Sequence, residues 1–105
     1  MPLTRDFRET VKARAEKDEA FRIALLGEAL DALLEGDVAL GKRLLRGYVN
    51  ATIGFERLAE DLGKSPKSLM RMLGPAGNPT ASSLFSIIDR LQQTSGVRFA
   101  VARVA

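Results

Sequence analysis

The chain has 105 residues, 46% of them apolar and 28% charged, with 16 Lys/Arg against 13 Asp/Glu. It contains no cysteine, histidine or tryptophan, which removes a disulfide framework, a thiolate or imidazole metal site and the usual general base. That length supports one hydrophobic core, and the balance of apolar to charged residues is that of a folded globular chain. The first residues, MPLTRDFRET, carry charge from Arg5 on and lack the apolar segment of a secretory signal. No apolar run approaches the roughly 20 residues of a membrane span. The expectation is a cytoplasmic protein with no membrane partner, no cofactor and no metal.

Up to residue 62 the composition is helical, with no proline between positions 3 and 65. Thr4 is placed to cap a first helix running to about Lys17, with Phe7, Val11 and Ala15 on one narrow apolar face, so this helix should be largely exposed. A second helix starts near Asp18, carries the broad stripe Phe21, Leu25, Leu26, Ala29, Leu30, Leu33 and Leu34, and stops at Gly36. Asp37 caps a third, with Leu40, Leu44, Leu45 and Tyr48 at i, i+4 spacing, ending near Asn50–Ala51. Thr52 is placed to cap a fourth helix, IGFERLAEDL, ended by Gly63. Ser65 caps a fifth, with Pro66 at its first position, where the missing N–H costs nothing. Gly74-Pro75 closes it. Thr80 caps a sixth, ASSLFSIIDRLQQTS, with Leu84, Phe85, Ile87, Ile88 and Leu91 turned inward and Gly96 as its stop.

The tail VRFAVARVA changes period. Val97, Phe99 and Val101 alternate with Arg98, Ala100 and Ala102, the pattern of a strand. With helices everywhere else it has nothing in the chain to pair with, so it is expected to pair with a second copy or with another protein's sheet. The predicted architecture is all-α: one domain, a small bundle of five or six helices. Residues 1–51 hold the N-terminal helices, 52–95 a helix-turn-helix and the helix after it, and 96–104 a short C-terminal β-strand.

Charge is unevenly spread. Residues 1–62 carry 10 Lys/Arg and 12 Asp/Glu, whereas residues 63–105 carry 6 Lys/Arg and one acid, Asp89. The break falls at LGKSPKSLMRMLGPAGNPT, residues 62–80, which combines three glycines, three prolines, three cations and no acid. Counted from Phe55, Ala59 stands fifth and Gly63 ninth, with Leu58, Leu62, Leu69 and Met72 at the fourth, eighth, fifteenth and eighteenth positions. Each has a physical reason in a helix-turn-helix. Ala59 is small where the two helices cross, and Gly63 supplies the positive φ of the turn. The four apolar residues form the wedge that sets the interhelical angle. On the outer face of the second helix, Ser65, Lys67, Ser68 and Arg71 offer hydroxyls and long donors with no acid beside them. Arg71 suits a base edge, Lys67 a base or a phosphate, and Lys64 and Thr80 the phosphate backbone.

The segment from Phe55 to Val101 is similar to addiction-module antidote proteins, the HigA-like antitoxins with a lambda-repressor-type (Xre) helix-turn-helix. The resemblance extends from about residue 20 to 101. Its most specific part is Leu69, Leu73, Gly74, Gly77, Asn78, Pro79 and Thr80, followed by an amphipathic helix and a short strand. Two departures stand out: Gly74-Pro75 replaces an acidic pair, and Lys64 replaces an apolar residue. The resemblance implies a homodimer that binds double-stranded operator DNA, represses its own operon and neutralises a cognate, RelE-like toxin. It places DNA contact on Lys64, Ser65, Lys67, Ser68, Arg71 and Thr80. Val97, Phe99 and Val101, or the first two helices, are its candidates for dimer or toxin contact. Two alternatives are a stand-alone helix-turn-helix repressor and a helical protein-interaction module. Catalysis is not expected, and Asp6, Glu9, Glu16, Asp18 and Glu19 read as a solvated face.

Overall fold

A computed structural model describes residues 5–105. Among them the chain forms six helices and no strand: α1 (Arg5–Lys17), α2 (Glu19–Leu34), α3 (Val38–Ala51), α4 (Phe55–Leu62), α5 (Pro66–Met72) and α6 (Ala81–Ser95). The cap expected at Thr4 lies outside the described residues. No helix among them is long and apolar enough to cross a membrane.

The helix starts follow from local chemistry. Asp18 accepts from the N–H of Phe21, Asp37 from that of Leu40, Ser65 from that of Ser68 and Thr80 from that of Ser83. Each satisfies one donor that the first turn leaves without a carbonyl. Thr52 departs from expectation. It ends α3, donating its hydroxyl to the Tyr48 carbonyl at 2.7 Å, and α4 begins later, at Phe55, behind Gly54. A threonine four residues beyond a free carbonyl can bond backward as well as forward, and here the backward bond wins.

The core gathers one face from α2 to α6. Leu26, Leu45, Val49, Leu58, Leu69 and Leu91 are fully buried, joined by Tyr48, Phe55, Leu73, Ile87 and Ile88. Two polar links tie the bundle at its edges. The Tyr48 and Ser95 hydroxyls bond to each other, joining the ends of α3 and α6. Arg90 of α6 donates to Asp61 of α4 at 2.9 Å. As expected, α1 is mostly exposed, contributing Ala15 to the interior. Two apolar expectations fail: Phe85 is 63% exposed and Leu34 67% exposed. On α6 the inward positions are 84, 87, 88 and 91, and Phe85 stands about 100° round the helix from Leu84.

The tail is the main correction. Residues 97–101 form no strand, so Val97, Phe99 and Val101 make no sheet pairing. Their alternation has another source: Val97 and Phe99 turn toward the bundle, while Arg98 and Ala100 face solvent. The Phe99 N–H donates to the Gln92 side-chain carbonyl at 2.7 Å, and its ring lies against Gly27 of α2. An extended segment docked on helices shows the same period of two as a strand. Val101 is left 81% exposed. Replacing Phe99 with alanine should cost about 1–2 kcal/mol, less than a fully buried phenylalanine, because its ring is only half-buried. The midpoint of urea unfolding measures it.

Candidate nucleic-acid interface

The acid-free segment 62–80, with its three cations, is carried on a short, well-anchored pair of helices. Leu58 and Ala59 of α4 and Leu69 of α5 are buried, with Leu62 and Met72 half-buried around them. Burying a leucine contributes roughly 1.5–3 kcal/mol, which is how a seven-residue helix, too short to persist alone, is held in place. Gly63 ends α4 at φ 66°, in the left-handed region. Its N–H and that of Lys64 bond back to the carbonyls of Glu60 and Ala59, which turns the chain within three residues.

This packing leaves the polar side of α5 outward. Lys64, Lys67 and Arg71 are exposed, as is Met70 beside them, and Ser68 is half-buried. Among the described residues none of these three cations takes part in an ion pair. Three cations on other helices do have acidic partners. Arg14 pairs with Asp18 and stacks over Phe21, and Arg57 and Arg90 share Asp61. Ser65 already accepts one bond at the cap, and its hydroxyl hydrogen remains to donate to a phosphate oxygen.

Thr80 is exposed at the start of α6, its hydroxyl bonded to Ser83. The turn leading to it, residues 74–80, is fixed from two sides. The Gly77 N–H bonds to the Gly74 carbonyl at 3.0 Å. The Gly77 carbonyl accepts from Lys42 Nζ of α3 at 2.5 Å. Lys42 is the one charged side chain buried among the described residues, and its partner is a backbone carbonyl rather than an acid. It was not legible as a structural residue, since its partner is 35 residues away. The signal that was present is the composition of Val38–Ala51, three cations and no acid.

The predicted positions therefore come together in part. Lys64, Lys67 and Arg71 share the exposed turn and outer side of α5, and Thr80 opens the helix that follows. Val97, Phe99 and Val101 belong elsewhere, on the docked tail. Comparison with protein-family models, curated proteins and solved structures gives no match to this chain.

Proposed function

We propose that this protein is a sequence-specific DNA-binding repressor, with α4 and α5 acting as a helix-turn-helix, and that it is the antitoxin of a toxin–antitoxin module. The observation that carries the DNA half is a set of three exposed cations, Lys64, Lys67 and Arg71, with neither an ion pair among the described residues nor an acid between positions 62 and 80. A duplex offers one negative charge per about 1.7 Å of axis, so such a face gains by releasing the duplex's counterions. In this reading α5 lies along the major groove. Arg71 donates to a base edge, Lys67 to a base or phosphate, and Lys64 and the start of α6 at Thr80 to the backbone. One short helix makes few contacts, so a homodimer spanning two half-sites supplies the remainder. The antitoxin half rests on the resemblance of residues 20–101 to HigA-like antitoxins, and its partner would be a RelE-like toxin.

The test is binding of the chain to a duplex from its own upstream region and to a scrambled duplex, at two salt concentrations. Tighter binding to the upstream duplex, with two chains per site, is expected. Arg71→Ala should then cost about 1–3 kcal/mol on the upstream duplex and little on the scrambled one. Equal weak binding to both duplexes, lost at the higher salt, would sink the repressor reading. It would favour a helical interaction module with an acidic protein partner. Co-purification with the product of an adjacent gene tests the antitoxin half.

A further inference from the structure

The structure brings a second group of cations to the segment that follows α5. Helix α3 carries Lys42, Arg43 and Arg46 and no acid. Lys42 turns inward to the Gly77 carbonyl, while Arg43 and Arg46 are exposed. Among the described residues neither arginine has an ion-pair partner. Arg46 Nη1 lies 3.9 Å from where a β-carbon on Gly74 would stand, at the end of α5. Lys42 and Arg46 are one turn apart on α3, about 6 Å along its axis. They meet the 74–80 segment at Gly77 and Gly74. Arg43 is three residues from Arg46, on the adjoining surface. The outer side of α3 thus meets the chain at Gly74, just past the end of α5 and three residues along from Arg71.

We propose that Arg43 and Arg46 form a second contact to the phosphate backbone of a duplex, so that the chain grips DNA across α3 and α5 together. This rests on the reading of α5 as the DNA-facing helix. Arginine suits the role because its planar fork meets phosphate oxygens in pairs and never loses its charge. Contacts of this kind fix how the protein sits on the duplex and carry no sequence information. Lys42 acts as a positioning residue. Its bond to Gly77 holds the segment that joins α5 to α6 against α3, which keeps the two groups of cations in register.

The experiment compares the full chain, Arg43→Ala/Arg46→Ala, and a charge-matched control, Arg8→Ala/Lys12→Ala on α1. Each is titrated with the upstream and scrambled duplexes over a range of salt. Losing two phosphate contacts should flatten the slope of log affinity against log salt by about 2 on both duplexes. Their affinity ratio should stay unchanged. Arg43→Gln/Arg46→Gln, which keeps side-chain bulk, should give the same slope as the alanine pair, and thermal melting should show both variants folded. An unchanged slope overturns the proposal, and so does an equal flattening by the α1 control, which would reduce the effect to net charge. In either case the reading of α5 survives as long as the unmodified chain prefers the upstream duplex. If the unmodified chain binds neither duplex, the reading of α5 falls and this proposal falls with it.

Discussion

Replacing Gly77 with alanine is expected to lower stability by about 3 kcal/mol, at the upper end of what overpacking usually costs. A β-carbon there would stand 2.1 Å from the Arg71 carbonyl oxygen and 2.4 Å from that of Met72, with Met72's carbonyl carbon at 2.7 Å. These are backbone atoms at the end of α5, so no rotamer change relieves the clash. Either the last turn of α5 opens or residues 75–79 move outward, and the second course takes the acceptor away from buried Lys42. The requirement for glycine here is one of close approach, unlike that at Gly63, which is one of φ. Thermal melting measures the effect as a fall of about 10–20 °C for a domain of this size. Gly47→Ala is the matched control. That position is exposed on α3 with nothing within 4 Å of a β-carbon, so alanine should raise stability by about 0.5–1 kcal/mol. Equal melting temperatures for the two variants would contradict the close approach.

Leu69→Ala should be comparably severe, at about 3–4 kcal/mol. Leu69 is fully buried and is the central anchor of a helix only seven residues long. Its nearest reinforcement, Leu73, stands at the helix end. The lost methyl groups leave a cavity in the shared core of the bundle, and a close-packed interior relaxes only partly around it. Against a total stability of 5–15 kcal/mol, typical of small domains, the loss is a large fraction. Met70→Ala, one residue along and on the solvent side, should change stability by less than about 0.5 kcal/mol. A urea titration of both variants separates the two faces of α5. Similar midpoints would mean that α5 is not oriented as described.

The parts of the fold legible in the sequence are those settled within a few residues. Asp18, Asp37, Ser65 and Thr80 cap helices because each needs only an N–H two or three residues ahead. Gly63 and Gly96 stop helices because only glycine reaches their φ without cost. The burial of Leu58, Ala59 and Leu69 was legible for a related reason, since two short helices joined by a tight turn have few ways to meet. The tail was not legible, because alternation records that one side is covered and not what covers it. Phe85 lies off the inward face of α6, which the helical period gives to Leu84, Ile87, Ile88 and Leu91. On the candidate site, the cations of residues 64–71 were evident from local composition. The approach of Lys42 and Arg46 to residues 74–77 was not, because it is decided by packing between distant segments.

The seat of Phe99 on Gly27 has a consequence for the order in which the molecule assembles. The two residues are 72 apart in the chain, so bringing them together from an open chain would cost roughly 4 kcal/mol of loop-closure entropy. One half-buried ring and one hydrogen bond to Gln92 return less than that. The tail is therefore expected to dock only once α2 and α6 have joined the common core, when the remaining span is the few residues after Gly96. Its contacts are expected to form after the folding barrier is crossed. In stopped-flow kinetics Phe99→Ala should leave the refolding rate nearly unchanged and speed unfolding, whereas Leu69→Ala in the core is free to affect both. A slowed refolding rate for Phe99→Ala would place the tail in the nucleus instead. Residues 97–101 act as a latch, closed last and opened first.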